Sequence, residues 1–594
     1  MTGSGLTDSP ADRGFLLRHV VPLWLAFTAL FALYRWPFIA SLRQADPDDT
    51  LRLVQVRDLL AGQGWFDLHQ YRADPAGGVV MHWSRLVDLP IAAVELMLRP
   101  LLGTALAEQA ASVVVPAVTF GLILLGLAWI VRRQFGAGLI GYAAILAATS
   151  FPIATQVLPT RVDHHGWQIA SVVLALMGFV SSDPRKGGTL AGIALALGMA
   201  ISLELLPVAA LFGAVLAFSW IRCPSAGVRY QYFIAALFSA SLAAFALSRG
   251  PDVTNYCDAV SPVYLAALGT MALGTLAVAK LAGRCRIAIG SGLALSGLAA
   301  VVTILAVAPQ CRAGPFAALD PLLQSLWHDN VLEGLPVWRL QAPAMAQWIV
   351  PPLVGLYAAV RLCQARMGDA RRLWCDYALL IAGSFLLGAV VLRSMAFCIA
   401  MAVVPLAWLV REQVRRLEHL KGAGPKLAQA ALLLAAVMPA LPVYGVQLLV
   451  APSAQAAATP ESGFAAGDIN RDLPLAAAAL SQLPSGTILA PLDEGPLLLL
   501  HTPHSVVATG HHRGAAAMHD VMTAFLVDPP VARHIMAKHG VRYVVLYADT
   551  SEVDFYRSIR PSGFAAQLSK GQAPDWLEPV LMPRESRLQV WKLR

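Results

Sequence analysis

A short polar stretch between two long apolar segments carries the side chains best suited to chemistry. It contains Arg161, Asp163, His164 and His165. Ionisable groups are costly at membrane depth and tend to mark functional sites there. The carboxylate and the two imidazoles offer one hard oxygen ligand and two nitrogen ligands to a divalent metal. In an extended segment, residues 163 and 165 point to the same side. The same residue types are common in solvated turns, so the stretch predicts a metal site only if other segments supply partners.

The composition indicates a polytopic α-helical membrane protein. The chain has 594 residues, of which 57% are hydrophobic and 13% are charged. A soluble protein normally carries about 25% charged residues. The net charge of +8 is compatible with binding to nucleic acid. However, Lys and Arg cluster in short loops between apolar segments, as membrane topology requires. We therefore predict membrane insertion and no nucleic-acid partner.

The apolar segments predict about thirteen membrane spans. The first span lacks a cleavage site and is expected to remain in the protein. Residues 86–102 are apolar but contain charged residues, so we predict a helix that lies along the membrane surface. The predicted spans are residues 20–40, 110–131, 139–157, 167–181, 188–204, 206–221, 232–248, 262–280, 287–308, 347–361, 374–392, 396–410 and 427–450.

The basic loops fall on one side at every alternate crossing, which gives a consistent topology. The prediction is a cytoplasmic segment 1–16, a transmembrane domain 17–450 with long external segments 41–107 and 309–346, and an external domain 451–594. Segments 158–166 and 249–261 are also predicted to be external. The protein is therefore expected in the inner (plasma) membrane, as a multi-pass protein with its C-terminal domain on the periplasmic or external side.

The external C-terminal part has the composition of a small α/β domain. Strand-like runs at 486–491 and 541–547 alternate with helical patterns such as 531–538, and residues 454–460 form a predicted linker. The seven cysteines show no zinc-ligand spacing. Cys257 and Cys311 both fall in predicted external loops. They could form a disulfide or remain two separate thiols.

Acidic residues converge on the predicted external face from three segments. Asp46, Asp48 and Asp49 follow the first span, Asp163 precedes a later one, and Glu333 lies in the long segment 309–346. Two carboxylates and an imidazole from different loops could close a divalent site with open positions for a phosphorylated ligand.

An arginine lies at the predicted outer end of a span. Arg393 is costly there unless it meets an anion, and a lipid-linked phosphate would serve. An ordinary interfacial anchor is the alternative interpretation.

Four short motifs in this order resemble those of the oligosaccharyltransferase catalytic subunits, in particular the single-subunit archaeal and bacterial type, among the GT-C membrane glycosyltransferases. The matching runs are Asp46-Pro47-x-x-x-x-Arg52, Asp163-x-His165, Val331-Leu332-Glu333 followed by Pro336, and Arg393-Ser394-Met395. The resemblance implies a GT-C fold of thirteen spans followed by an external domain.

The resemblance also implies roles for individual residues. Asp46, Asp163 and His165 would ligate Mn²⁺ or Mg²⁺, and Asp46 and Glu333 would orient the acceptor nucleophile. Arg393 would hold the donor phosphate. The implied activity is metal-dependent transfer of a sugar or oligosaccharide from a polyprenyl-(di)phosphate carrier to an external acceptor, which is a protein, a lipid or a glycan. Supporting roles beside the metal ligands are expected for Arg52, Asp48 and His164.

The chain departs from the family in its C-terminal domain. The family's acceptor-reading motif begins with two tryptophans and an aspartate, and the sequence contains no such run. The nearest counterparts place Asp493, His511, His512 and Arg513 as acceptor or glycan contacts. The histidines at 501, 504, 511, 512 and 519 are interpreted as surface or glycan-contacting residues, because no carboxylate or thiol stands at ligand spacing.

Simpler interpretations apply to several of these residues. Asp49 is expected to solvate its loop or to cap the helix that starts near Leu51. For Asp48, the choice between this interpretation and a functional role stays open. His164 is expected beside the ligands or exposed. Glu333 would by default cap a helix, and Glu204 faces a cavity or the interface without an assigned role.

Other functions remain as alternatives at this point. A transferase that uses a polyprenyl-monophosphate sugar would need no metal. A transporter or lipid flippase would carry its ionisable residues near mid-membrane rather than in external loops. A non-catalytic relative would only bind a lipid-linked glycan.

Overall fold

The computed structural model describes residues 10–41, 43–44, 46–316, 319–450 and 473–594. A large helical region comes first, and a small region with a mixed β-sheet follows it. This architecture confirms the predicted fold class.

The helical region contains nineteen of the described α-helices and one two-stranded antiparallel ribbon, β1 (His69–Gln70) with β2 (Val79–Val80). The helices are α1 (Pro10–Tyr34), α2 (Trp36–Ala40), α3 (Pro47–Leu60), α4 (Arg85–Leu102), α5 (Thr104–Phe135), α6 (Ile140–Thr149), α7 (Phe151–Ala154), α8 (His165–Val180), α9 (Pro184–Ile201), α10 (Leu206–Arg222), α11 (Gly227–Ser248), α12 (Pro262–Leu281), α13 (Arg286–Val307), α14 (Pro321–Leu326), α15 (Ala342–Ala365), α16 (Gly368–Val390), α17 (Met395–His419), α18 (Ala423–Val437) and α19 (Ala440–Val450).

Within the described ranges, nine helical segments are long and apolar enough to cross a membrane. A tenth candidate consists of α18 and the start of α19, with a bend of 101° between them. Helices α6, α8 and α9 occupy three further predicted spans, and α6 and α8 belong to shorter apolar segments. Each of the predicted spans therefore coincides with a helix.

Helix α17 lies at the centre of the membrane region. Every residue from 395 to 407 is buried, as expected for a helix that is apolar on all sides. Helices α9 and α11 approach each other closely, because a Cβ added at Gly192 would lie 2.5 Å from the carbonyl oxygen of Phe233. Small residues permit such close backbone contact between membrane helices.

A buried network of charged residues joins α3 to α4 outside the spans. Arg52 donates to Asp88 at 3.1 Å, and Arg85 donates to the other oxygen of Asp88 at 3.2 Å. Gln55 also donates to Asp88, at 2.8 Å. Each of these side chains is at most 1% exposed. Buried charges require such pairing, so the network fixes the position of Arg52 next to the candidate site.

The C-terminal region has a five-stranded sheet in the order β4-β3-β5-β7-β6. Strand β3 is parallel to β4 and β5, and β7 is antiparallel to β5 and β6. Its elements are α20 (Leu473–Leu480), β3 (Thr487–Leu489), α21 (Gly495–His501), β4 (Ser505–Val506), α22 (Ala515–Leu526), α23 (Pro529–Lys538), β5 (Val541–Tyr547), α24 (Ser551–Ile559), α25 (Phe564–Ser569), β6 (Leu577–Pro579) and β7 (Leu588–Leu593). Both predicted strands and the predicted helix are present, whereas the predicted linker 454–460 lies outside the described residues.

The C-terminal region docks on the first external segment. The backbone of Val506 donates to the carbonyl of Arg72 at 2.8 Å, and that of Asp74 donates to the carbonyl of Val506 at 3.1 Å. The guanidinium of Arg72 donates to the carbonyl of Leu499 at 2.7 Å. The C-terminal region therefore packs directly on the described part of the segment 41–107.

Two pairs of cysteines form disulfides. Cys257 pairs with Cys311, which resolves the alternative that the sequence left open, and Cys363 pairs with Cys375. The first disulfide ties the loop before α12 to the segment after α13, next to the candidate site.

Candidate functional site

A cavity of about 520 Å³ lies where several predicted external segments meet. Its wall contains residues from α3, from the turn before α8, from the short turn Leu203–Leu205 and from the turn Leu392–Ser394. The segment that follows α13 closes one side, and residues 510–512 of the C-terminal region close another. The cavity is thus assembled from segments far apart in the sequence.

The turn before α8 is held by neighbouring elements. Thr160 adopts a φ of 74°, which is costly for a β-branched residue. Its backbone amide donates to the carbonyl of Ser112 at 2.8 Å, and its hydroxyl accepts from Arg35 at 3.2 Å. The surroundings therefore fix the direction in which the chain enters Asp163.

The carboxylate of Asp163 is surrounded by donors. Its Oδ1 accepts from His164 Nδ1 at 2.6 Å and from Arg52 at 3.3 Å, and its Oδ2 lies 3.6 Å from His165 Nε2. Its backbone amide donates to Asp49 at 2.8 Å. Asp163, His164 and His165 are all buried and place one ligand atom each within 4.8 Å of one another. Of the two alternatives predicted for His164, exposure is excluded and a position beside the proposed ligands remains.

The residues present fit a divalent metal. His164 Nε2 and Glu204 Oε2 are buried 3.7 Å apart, and neither has a hydrogen-bond partner in the described part of the chain. Buried polar atoms without partners cost free energy unless a ligand satisfies them. Carboxylate oxygens and imidazole nitrogens together form a donor set for ions such as Mn²⁺.

Charge interactions at this group oppose the effect of burial. Burial by itself would raise the pKa of Asp163, but the adjacent imidazole of His164 holds that pKa well below its ordinary value. Burial would lower the pKa of His164, yet Asp163 raises it to about 9. A proton on His164 therefore balances the carboxylate. A bound cation would replace it, because metal ligands must be deprotonated.

Arg393 contacts two carboxylates across the cavity. Its guanidinium lies 2.6 Å from Glu204 and 3.6 Å from Glu333, and Glu333 lies 3.7 Å from His165 Nε2. The amide of Leu392 donates to the carbonyl of Leu335 at 2.9 Å, which holds these two turns together. Glu333 lies in the short turn Leu332–Gly334 and does not cap an α-helix.

The three acidic residues after the first span have different environments. Asp46 caps α3, since its Oδ1 accepts from the amides of Asp48 and Asp49 at 3.0 and 3.1 Å, and its Oδ2 pairs with Arg161. Asp46 is not among the residues that line the cavity, whereas Asp48 is. Burial raises the pKa of Asp48 to about 8, and the carboxylates of Asp163 and Glu333 add to the effect.

Asp49 is fully buried beneath the turn that carries Asp163. It accepts from the backbone of Asp163 and pairs with Arg161 at 3.2 Å. The prediction that Asp49 solvates the loop or caps the helix is therefore wrong, because Asp46 provides the cap.

A second cluster of imidazoles lines the same cavity. His82, His511 and His512 place one nitrogen each within 4.8 Å of one another. Burial lowers the pKa of His82 and of His511 well below its ordinary value, and the neighbouring imidazoles and Arg513 contribute. The C-terminal histidines were predicted to be surface or glycan-contacting residues. His504 is 0% exposed and does not line the cavity, so neither alternative holds for it. His511 is 4% exposed, so it is not a surface residue, and its contact with a glycan stays a prediction.

The other predicted acceptor contacts do not line the cavity. Arg513 donates to Asp258 through two nitrogens, at 2.8 and 2.6 Å. Burial raises the pKa of Asp493 well above its ordinary value, as does the carboxylate of Glu552. The amide of Asp493 donates to Glu552 at 3.0 Å. His511 and His512 are the two predicted contacts that reach the cavity.

Sequence reasoning gave no role to three residues of this cavity, Glu204, His82 and Asp258. Glu204 is the last residue of the predicted span 188–204, at its predicted outer end, so its position in the topology was a usable signal. Asp258 adjoins Cys257 in a predicted external loop. His82 lies in the polar part of the first external segment, where its sequence context does not distinguish it.

Comparisons with known proteins support a fold assignment. No protein-family model and no curated protein matches the sequence. Among solved structures, the chain is similar to the archaeal oligosaccharyltransferase AglB from Archaeoglobus fulgidus in complex with an inhibitory peptide and a dolichol-phosphate. The identity is 15%, the alignment covers 96% of this chain and 73% of that chain, and the TM-score is 0.67.

Two other structures of the Archaeoglobus fulgidus oligosaccharyltransferase are also similar. One is tethered to an acceptor peptide with the NVT sequon, with 14% identity, coverage of 92% and 72%, and a TM-score of 0.63. The other is a complex with Zn and sulfate, with 15% identity, coverage of 92% and 70%, and a TM-score of 0.59. The chain therefore has the fold of the archaeal oligosaccharyltransferase, as the resemblance of the motifs implied.

Proposed function

We propose that the protein is a membrane glycosyltransferase that moves a sugar or oligosaccharide from a polyprenyl-(di)phosphate carrier to an acceptor on the external face. One observation carries the proposal. The buried group of Asp163, His164 and His165 reaches, through His164, a cavity that Glu204, Glu333 and Arg393 also line. This set contains groups for a cation, for an anionic leaving group and for proton removal.

Arg393 is the proposed donor-phosphate residue. Its present partners, Glu204 and Glu333, show that it can reach anionic oxygens inside the cavity. An adjacent apolar cavity of about 540 Å³ between α10, α11, α12 and α13 shares Leu203, Leu206 and Tyr264 with the polar one. This continuity supports a ligand with a charged head and a hydrocarbon tail. A dolichol-phosphate is bound to the similar archaeal protein.

Asp163 and His165 are the proposed ligands of Mn²⁺ or Mg²⁺. Asp48 replaces Asp46 in the set because the charge of Asp48 interacts with that of Asp163, whereas the oxygens of Asp46 cap α3 and pair with Arg161. Glu204 and His164 complete the surroundings with atoms that lack other partners. A bound divalent ion would offset the negative charge that builds up on the departing phosphate.

The acceptor is activated by a carboxylate in this proposal. Glu333 faces the cavity, with a side chain that is 39% exposed. It accepts the proton of the acceptor nucleophile as that nucleophile bonds to the sugar C1. The bond between C1 and the phosphate oxygen breaks, and the phosphate leaves with the electron pair. The acceptor is a protein, a lipid or a glycan.

The proposed location is the inner (plasma) membrane, with the cavity and the C-terminal region on the periplasmic or external side. The alternating basic loops support this orientation.

Binding of polyprenyl diphosphate to the purified protein in lipid nanodiscs tests the proposal. We expect binding that EDTA weakens at least about 10-fold and that Mn²⁺ restores. Asp163→Asn and Arg393→Gln should weaken it to a similar extent, whereas Arg339→Gln, at an exposed site in the same segment, should not. Absence of binding to the intact protein would overturn the proposal. Binding that is insensitive to EDTA would instead favour the metal-independent monophosphate transferase.

A further inference from the structure

We propose that His82, His511 and His512 form a second metal site, selective for zinc-class ions, which fastens the C-terminal region to the first external segment. The inference does not depend on the proposed transfer reaction. His82 lies between β2 and α4, and the other two histidines lie between β4 and α22. A metal here would link residues that are 429 positions apart.

The spacing of the nitrogens suits one metal ion. His82 Nδ1 lies 2.8 Å from His511 Nε2. A tetrahedral zinc ion with bonds of about 2.0 to 2.1 Å holds its ligand nitrogens about 3.3 Å apart, so small ring rotations would admit the ion. The ring of His512 lies 4.9 Å from that of His82 and 5.0 Å from that of His511, measured between centroids.

The buried ring of His511 needs a further partner. It is 4% exposed, and its Nδ1 has no hydrogen-bond partner among the described residues. Its Nε2 lies against Nδ1 of His82, so the contact between the two rings uses one nitrogen of each and one shared proton. A cation between the rings would take the place of that proton and coordinate both nitrogens, because imidazole binds metals through its deprotonated nitrogen.

The third histidine is oriented as metal ligands commonly are. His512 Nε2 lies 2.7 Å from Asp258 Oδ2, which leaves Nδ1 as the nitrogen available for a metal. Asp258 is held in turn by two nitrogens of Arg513. Metal-bound histidines usually donate their other ring N–H to a carboxylate, which fixes the ring and its tautomer.

The donor type separates this site from the Asp163 group. All three proposed ligands are imidazole nitrogens, which suit Zn²⁺, Co²⁺, Ni²⁺ and Cu²⁺ better than Mg²⁺ or Mn²⁺. All three proposed ligands line the cavity, the Asp163 group reaches it through His164, and the two groups share no residue. The second site therefore lies in the wall of the cavity that residues 510–512 form. The Asp163 group remains available to an ion that prefers oxygen ligands.

Titration of the purified full-length protein with Co²⁺ tests this site through the visible absorption of tetrahedral nitrogen-ligated cobalt. We expect absorption bands that Zn²⁺ abolishes and that millimolar Mg²⁺ does not. His82→Asn and His511→Asn should each weaken binding at least about 10-fold. His519→Asn is the matched control, because that histidine is partly exposed on α22 and pairs with Asp320 at 3.0 Å.

Two further measurements make the result decisive. Asp163→Asn should leave the cobalt bands unchanged, and loss of the bands in that variant would overturn the second site. Zn²⁺ should raise the melting temperature of the intact protein and of His519→Asn but not of His82→Asn. A melting temperature without metal that is equal in all three would exclude misfolding of the variant. Zinc binding that is unchanged in both His82→Asn and His511→Asn would also refute the proposal.

Discussion

At the residue scale, the carboxylates of Asp46 and Asp48 differ in what they contact. Asp46 is committed to two backbone amides and to Arg161, whereas Asp48 lines the cavity. A side chain that caps a helix has no free oxygen for a metal unless it gives up these contacts.

We predict that Asp46→Asn and Asp48→Asn affect metal binding differently. Asn also caps helices well, so Asp46→Asn should leave Mn²⁺ affinity within about twofold of the intact protein and cost at most about 1 kcal/mol of stability. Asp48→Asn should weaken Mn²⁺ binding at least about 10-fold. Isothermal titration calorimetry measures both affinities, and the reverse order would restore Asp46 as the ligand.

Glu204 is the second residue with a measurable role. It pairs with Arg393 at 2.6 Å and presents an unsatisfied oxygen to His164. We expect Glu204→Gln to lower Mn²⁺ affinity about 10-fold and to weaken binding of polyprenyl diphosphate less, because Arg393 remains. Calorimetry with each ligand separates the two effects. Glu412→Gln, in the predicted cytoplasmic part of α17, is the control. Equal Mn²⁺ affinities of Glu204→Gln and Glu412→Gln would show that Glu204 does not belong to the metal site.

At the element scale, the junction of β3, β5 and α24 contains three carboxyl groups. Glu494 accepts from the amide of Tyr547 at 3.0 Å, and Glu552 accepts from the amide of Leu492 at 2.8 Å. Burial raises the pKa of Glu494 well above its ordinary value, and Glu552 and Asp493 add to it. The folded state therefore retains protons that the unfolded chain releases.

This difference predicts a pH dependence of stability. The contribution of Glu494 is fully present below the ordinary carboxyl pKa of about 4.3 and is lost as the pH rises towards the raised pKa of the folded state. Glu494→Gln should therefore make the decline in melting temperature between about pH 5 and about pH 8 shallower. The exposed Glu578→Gln is the control, and an unchanged slope in Glu494→Gln would show that the carboxyl is ionised in the folded protein.

At the scale of the whole molecule, the disulfide between Cys257 and Cys311 and the exposed thiol of Cys285 lie at opposite ends of α12 and α13. The predicted topology puts the first outside and the second in the cytoplasm. A membrane-impermeant maleimide should therefore label Cys257 in intact spheroplasts after reduction and should not label Cys285 until the membrane is permeabilised. Labelling of Cys285 in sealed spheroplasts would invert the topology and the proposed location of the cavity.

The same disulfide should stabilise the segment that carries Glu333. Replacement of both cysteines by serine should cost about 2 to 4 kcal/mol of stability, because a long loop is no longer closed. Cys285→Ser is the control, because the free thiol of Cys285 is exposed and that of Cys398 is buried. Thermal unfolding in the same detergent compares the two variants, and equal melting temperatures would show that the crosslink adds no stability.

The sequence by itself determined the membrane architecture and the residue types of the site. Burial of apolar side chains in lipid imposes long hydrophobic runs, so each predicted span coincides with one helix or with two consecutive helices. The motifs around Asp163, Glu333 and Arg393 were also readable, because charged residues at the outer ends of spans are costly without a function.

The tertiary structure alone decided which of these groups meet. The choice between Asp46 and Asp48 depends on which carboxylate caps α3, and the pairing of Glu204 with Arg393 joins two turns that are far apart in the chain. The contact between His82 and His511 depends on how the C-terminal region docks on the first external segment. Local patterns encode burial and helix ends, whereas contacts between distant segments arise from the packing of the whole chain.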